Sequence, residues 1–138
     1  MIIDATDLIL GRMATKVAKL ALEGEPVTIV NCSGAVVSGN KRQILNRFKQ
    51  KLDMGAPLKG PYFPKYPERI VRRVVRGMLP YKQEKGEKAF KRVMCYRDIP
   101  DKIKNEKIET IENAKYTKLP NLKFVRIMEI SKFLGAKL

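Results

Sequence analysis

Histidine is absent from this sequence of 138 residues, and cysteine occurs only twice, as Cys32 and Cys95. Histidine is the commonest general base in enzymes, so its absence argues against a catalytic protein. A structural zinc site takes four ligands, usually thiolates and imidazoles, and two thiols cannot supply them. We therefore predict a protein that is not an enzyme and that holds no metal and no other cofactor.

Long hydrophobic runs are also missing, since no apolar stretch approaches the ~20 residues that span a bilayer. The opening segment MIIDATD carries acidic residues where a secretory signal has a basic region. We therefore expect a cytoplasmic protein with no membrane partner. In that setting both cysteines are expected to be reduced and to serve as small buried residues.

Acidic residues are scarce in the middle of the chain, and this scarcity localises the charge. The sequence has 29 lysines and arginines against 14 aspartates and glutamates, a net charge of +15. Residues 41–92 hold 16 basic and 4 acidic side chains, a net of +12, whereas residues 1–40 hold 3 and 4. A concentrated basic excess in a folded domain points to nucleic acid ahead of an anionic membrane.

The hydrophobic pattern predicts one α/β domain over residues 1–138. A β-branched run in MIIDAT, a helical pattern over residues 11–24 and a second run in PVTIVN form a βαβ unit with parallel strands. The segments AVVSG and RVMCY are the predicted third and fourth strands, with a helix over residues 41–52 between them. Helices between parallel strands imply layers of helix on both faces of the sheet. The polar residues 101–119 are expected to form a loosely packed excursion.

The segment RIVRRVVRGMLP, residues 69–80, alternates pairs of arginines with pairs of aliphatic residues. On a helix its aliphatic residues fall on one side, continued by Met78 and Leu79, and its arginines fall on the other. A solvated helix face normally mixes charges of both signs, but Glu68 is the only acid near these arginines. Because arginine grips phosphate with a planar fork of donors, this face is predicted to contact RNA or DNA. Its four arginines are Arg69, Arg72, Arg73 and Arg76.

A second basic series follows in YKQEKGEKAFKR, with a lysine at every third residue from 82 to 91. A spacing of three drifts by about 60° per step around a helix, so these lysines are expected to spread over a diffuse surface. Glu84 and Glu87 dilute that surface.

The segment GAVVSGNKR, residues 34–42, is close to a phosphate-binding loop of the G-x-x-x-x-G-K-[ST] type. Asn40 stands in place of the lysine, and Arg42 follows Lys41 where a serine or threonine would hold magnesium. The Gly-Asn pair is also an ordinary turn sequence. A helix N-terminus with Lys41 and Arg42, holding one backbone phosphate of a polynucleotide, fits these residues better than a nucleotide-hydrolysing site.

Three aromatic residues, Tyr62, Phe63 and Tyr66, lie among prolines and lysines in MGAPLKGPYFPKYP. Two roles remain open for them. They stack on unpaired bases, as aromatic residues do in many RNA-binding proteins, or they pack the loop onto the core.

Several blocks of this sequence resemble one known family. DATDLILGRMA, VNCSGAVVSGNK and GPYFPKYPERIVRRVVRGMLP resemble, in collinear order, the large-subunit ribosomal protein thirteen family in its archaeal and eukaryotic form, and ISKFLG resembles the archaeal ending. The resemblance implies a three-layer α/β/α fold with a four-stranded parallel sheet. It also implies a non-catalytic role in binding large-subunit ribosomal RNA beside neighbouring ribosomal proteins, with no small-molecule substrate. The family's basic residues map to Lys41, Arg42, Arg72, Arg73 and Arg76.

The leading hypothesis is a structural constituent of the large ribosomal subunit that binds and stabilises ribosomal RNA through the basic patch in residues 41–92. The alternatives are a nucleotide-binding enzyme using residues 34–42 and a regulatory binder of messenger RNA or DNA. The predicted RNA contacts are basic side chains and one glycine where backbone can approach RNA: Arg12, Lys41, Arg42, Arg47, Arg69, Arg72, Arg73, Arg76, Gly77, Lys82, Lys85, Lys88, Lys91 and Arg92.

Overall fold

A computed structural model describes all residues of the chain, from Met1 to Leu138. The strands are β1 (Ile2–Asp4), β2 (Val27–Val30), β3 (Val36–Ser38), β4 (Val93–Cys95), β5 (Ile108–Glu109) and β6 (Phe124–Arg126). The helices are α1 (Leu10–Leu22), α2 (Lys41–Asp53), α3 (Pro67–Gly77), α4 (Glu84–Lys91) and α5 (Ile127–Phe133). None of these helices is both long enough and apolar enough to cross a bilayer.

Four strands form a parallel sheet in the order β4-β2-β1-β5. This confirms the predicted α/β class, the parallel four-stranded sheet and the opening βαβ unit. One strand assignment was wrong, because β3, from AVVSG, pairs antiparallel with β6 in a separate two-stranded sheet. Its place is taken by β5, which lies within residues 101–119 and pairs with β1. The predicted loose excursion therefore supplies an edge of the main sheet.

The main core lies on one face of the parallel sheet. Ile3, Val27 and Ile29 point to this face and join one buried cluster with α1, α3 and α4, and α1 packs against both α3 and α4. The opposite face carries Thr28 and Met94, and Met94 is 43% exposed. The connection from β4 back across the sheet to β5 contains only short 3-10 structure, Asp101–Ile103. Helix α3, which carries four arginines, is therefore fixed by the better-packed face.

The turn between α3 and α4 depends on a close approach at Gly86. This glycine is buried, and a Cβ built on it would overlap the carbonyl oxygen of Pro80 and lie 2.8 Å from the backbone nitrogen of Tyr81. Backbone atoms cannot swing aside as a flexible side chain can. Only glycine at this position lets α4 pack against the end of the arginine-bearing segment.

The two cysteines, distant in sequence, meet at the carboxyl ends of β2 and β4. Both thiols are free; Cys32 is buried and Cys95 is half-buried. A hydrogen bond to Cys95, together with burial, raises the pKa of the Cys32 thiol far above its ordinary value of 9.0. Cys32 is packed in the core as predicted, whereas Cys95 is more exposed than the sequence analysis expects.

Replacing Gly86 with alanine should lower the free energy of unfolding by about 1–3 kcal/mol, because the added methyl group collides with backbone. Gly77→Ala is the matched control, since a Cβ at Gly77 meets nothing within 4 Å. Urea unfolding of both variants checks this. Equal stabilities for the two variants would contradict the role given to Gly86.

The stability of the fold should fall as the pH rises above about 9. Folded Cys32 keeps its proton because its pKa is raised, whereas the unfolded thiol ionises near pH 9, so unfolding releases a proton there. The contribution is fully present below pH 9 and declines above it by up to about 1.4 kcal/mol per pH unit. Cys32→Ala should therefore show a shallower decline than the wild type in denaturant titrations between about pH 9 and 10. Parallel declines would contradict this.

Candidate nucleic-acid interface

Helix α3 forms where the sequence pattern predicts it. Pro67 occupies its first turn, where a missing N–H costs nothing, and Glu68 and Arg76 lie at the ends that favour their charges. Its buried side chains include Ile70, Val71 and Val75, which anchor it in the core. The predicted apolar side does not extend as far as expected: Leu79 is buried, but Met78 is 41% exposed.

Each arginine of α3 lies over an aromatic ring. The guanidinium carbon of Arg72 is 4.5 Å from the centroid of Phe90, and that of Arg73 is 5.0 Å from Phe63. Arg76 lies 4.9 Å from Tyr81, and Arg69 lies 6.0 Å from Tyr66. Such stacking attracts the cation to the ring face and fixes the guanidinium plane while its edge donors stay available.

None of these four arginines forms a salt bridge with a carboxylate. They are less exposed than a solvated face would be, because Arg72, Arg73 and Arg76 are half-buried against their rings and only Arg69 is exposed. Arginines held in place without acidic partners are suited to receiving an external anion.

The arginines line a cleft that we call the arginine groove. Its volume is about 390 Å³, and it is lined by Tyr62, Pro64, Arg69, Arg72, Arg73, Arg76 and Phe90. The Nε atom of Arg72 is buried and has no hydrogen-bond partner within the protein. Since no acidic residue lines the groove, its walls concentrate positive potential and favour a phosphate-bearing ligand.

Phe63 extends the basic surface from α3 to α2. Its ring packs edge-on against Phe48, with the ring centroids 5.9 Å apart. The Nζ of Lys51 lies 5.6 Å from the Phe63 centroid, and the same ring contacts Arg73. Partial desolvation lowers the pKa of Lys51, and the positive charges of Arg47 and Arg73 lower it further. Lys51 is a site residue that sequence reasoning missed, although its position four residues after Arg47 places both on one face of α2.

The three loop aromatics differ in burial, and one of the two roles left open for them is settled for Phe63 alone. Phe63 is half-buried and packs against the core, as the packing alternative predicts. Tyr62 is 70% exposed and Tyr66 is 39% exposed, so their rings remain accessible.

The start of α2 does not form a nucleotide-binding loop. Residues 36–38 are extended as β3 and pair with β6, so their N–H groups do not curl around a phosphate. The side chain of Asn40 caps the helix by accepting a hydrogen bond of 3.0 Å from the Arg42 N–H. The Nζ of Lys41 lies 3.5 Å from Glu129 of α5. The structure gives no support to the nucleotide-binding alternative.

The remaining predicted RNA-contacting residues differ in whether their side chains already have partners within the protein. Lys88 and Lys91 are paired with Glu84 and Glu87 at 2.6 and 3.0 Å. Arg92 donates to the carbonyl oxygen of Ala21 at 3.0 Å and so ties the end of α1 to the start of β4. The others are exposed and form no salt bridge: Arg12, Arg42, Arg47, Gly77, Lys82 and Lys85.

Residues 1–102, which include the arginine groove, match the family model described as Ribosomal protein L13. The chain belongs to the ribosomal protein L13 family. This confirms the resemblance seen in the sequence, and with it a ribosomal rather than an enzymatic protein.

Archaeal proteins of the L13 family align with nearly the whole chain, and each is named large ribosomal subunit protein uL13. The protein of Archaeoglobus fulgidus is 42% identical over 135 residues, covering 97% of this chain and 86% of that protein. The protein of Thermoplasma acidophilum is 45% identical over 134 residues, covering 97% of both chains. The protein of Methanococcoides burtonii is 43% identical over 136 residues, covering 99% and 98%. The chain is therefore an L13 protein of archaeal type.

Removing the charge of Lys51 should leave the fold as stable or slightly more stable. Arg47 and Lys51 are like charges at the i,i+4 spacing, and a methionine sulfur can replace the ammonium group against the rings of Phe48 and Phe63. Lys51→Met should therefore raise the free energy of unfolding by about 0.2–0.5 kcal/mol. Lys49→Met is the control, because Lys49 is four residues from Asp53 and its loss removes an attraction instead. Thermal unfolding at low salt measures whether the two variants change stability in opposite directions. A clear loss of stability in Lys51→Met would contradict crowding of positive charge at this position.

Proposed function

We propose that this L13 protein is a structural constituent of the large ribosomal subunit that binds and stabilises large-subunit ribosomal RNA. The relatives' shared name supports the assignment to the large subunit. The observation that supports RNA as the ligand is the arginine groove, where four arginines are held on aromatic rings without acidic partners. As part of the ribosome, the protein works in the cytoplasm.

The groove arginines are the centre of the proposed interface. Their fixed guanidinium planes suit bidentate contacts to phosphate oxygens, which position a protein on RNA without reading sequence. Arg47 and Lys51 extend the interface along α2, and Lys82 and Lys85 extend it beyond α3. The open space over Gly77 lets an RNA backbone approach the end of the helix.

The other predicted RNA-contacting residues contribute less to binding than the groove arginines in this proposal. Lys41, Lys88 and Lys91 already face carboxylates, so phosphate has to compete with these partners. Arg92 has a structural hydrogen bond and contributes through its charge. Arg12 and Arg42 are exposed and available. We propose that residues 1–138 act as one RNA-binding domain, beside neighbouring proteins of the subunit.

Neutralising the groove should weaken binding more than neutralising an equal charge elsewhere. Arg72→Gln combined with Arg73→Gln should lower affinity for large-subunit ribosomal RNA by roughly ten-fold or more and reduce the slope of log K against log salt by about one per lost contact. Filter binding across a salt series measures both quantities.

The matched control is Lys88→Gln combined with Lys91→Gln, which removes the same two charges from side chains already paired with glutamates. This control should bind more tightly than the groove variant. A nearly flat salt dependence for the wild type would refute RNA binding through phosphate contacts. Equal losses in the two double variants would refute the groove as its centre.

A further inference from the structure

A second cavity lies beside the arginine groove, and Tyr62 lines both. Its volume is about 490 Å³, within the range of small-ligand sites. Leu52, Met54 and Phe63 contribute to its apolar wall, and Asp53 and Lys65 are its charged lining residues. The chain therefore places a cavity with an apolar wall, one carboxylate and one ammonium group next to a cleft lined by four arginines.

The ring between the two cavities is held in position but left accessible. The Tyr62 carbonyl oxygen accepts a hydrogen bond of 3.1 Å from Nη1 of Arg73, which fixes the backbone. A Cβ built on Gly60 would lie 3.2 Å from Cδ2 of Tyr62, so the ring rests over that glycine. The side chain is nevertheless 70% exposed. An oriented aromatic ring with free surface is the arrangement on which RNA-binding proteins stack bases.

The loop that walls the cavity is closed by its own backbone. The Gly60 N–H donates to the Ala56 carbonyl oxygen at 3.0 Å. Gly55 and Gly60 have φ values of +82° and +79°, and a Cβ on Gly55 would overlap the carbonyl oxygen of Gly60. These contacts form the wall before any ligand binds, so a ligand does not have to order it.

We propose that this cavity receives one unpaired base of ribosomal RNA, stacked on Tyr62, while the adjoining phosphates lie in the arginine groove. The inference rests on the proposed function and names the RNA feature that the site takes. Charge favours this orientation: Asp53 and Lys65 offset each other in the cavity, whereas the groove has four arginines and no acid, so phosphate is attracted to the groove. Asp53 also accepts hydrogen bonds from an amino group, which cytosine carries and uracil lacks.

The test compares single-stranded and duplex RNA as probes of the full-length protein. Tyr62→Ala should weaken binding of a cytidine hexamer by roughly 5- to 100-fold, the effect of losing one stacked base, and leave binding of an RNA duplex unchanged. Tyr62→Phe, which keeps the ring, should bind like the wild type. The slope against salt should not change in either variant, because stacking releases no counterions.

A second experiment tests the proposed hydrogen bond between Asp53 and the amino group of the base. The wild type should prefer the cytidine hexamer over a uridine hexamer, and Asp53→Ala should remove that preference. If the wild type binds neither the single-stranded nor the duplex RNA, the proposed function itself is refuted. If the wild type binds ribosomal RNA but Tyr62→Ala keeps the wild-type affinity for single-stranded RNA, only the proposal of a base-binding cavity is overturned. The cavity would then take another occupant, such as a protein side chain.

Discussion

Electrostatic repulsion among four arginines on one face of α3 is the constraint around which this molecule is built. Apart from Glu68 and Arg76, which lie at the ends that favour their charges, such a helix gains little from its own charges and depends on burial of its other side, chiefly Ile70, Val71 and Val75. The aromatic rings of Phe63, Phe90 and Tyr81 offset part of the cost by stacking with the cations. Because the fold supplies no carboxylates to these arginines, the attraction that would satisfy them has to come from an external anion.

The aromatic rings explain why the arginine face is rigid rather than merely charged. An exposed arginine loses side-chain entropy when it binds phosphate, and ordering it beforehand removes part of that cost. Phe63 has a central place here, since it packs on Phe48 and carries both Arg73 and Lys51. The loop containing Tyr62 is attached to the same framework by the Arg73 hydrogen bond. The arginine groove and the aromatic surface are thus parts of one packed unit.

The sequence allowed prediction of features that depend on local periodicity. Helical spacing predicts the segments that form α1 and α3 and the separation of arginines from aliphatic residues on α3, and the scarcity of acids predicts a concentrated basic surface. Long-range pairing could not be predicted: β5 has two residues, too few for a period-two pattern, and β3 is apolar enough to suit either sheet. The aromatic partners Phe90 and Tyr81 were also beyond prediction, because they come from outside α3 and meet its arginines only through tertiary packing.

The pairing of β2 with β4 has a consequence for how binding affects the whole protein. Val27 pairs with Val93, so everything between these adjacent strands, including α2, α3 and α4, is topologically one long loop of the sheet. Closing a loop of this length lowers the entropy of the chain, and this loss is offset only when the loop packs against the sheet. A ligand held on the loop selects its packed form, and by thermodynamic linkage it stabilises the strands that the loop joins. Ligand binding to this surface and the stability of the sheet are therefore governed by one coupled equilibrium.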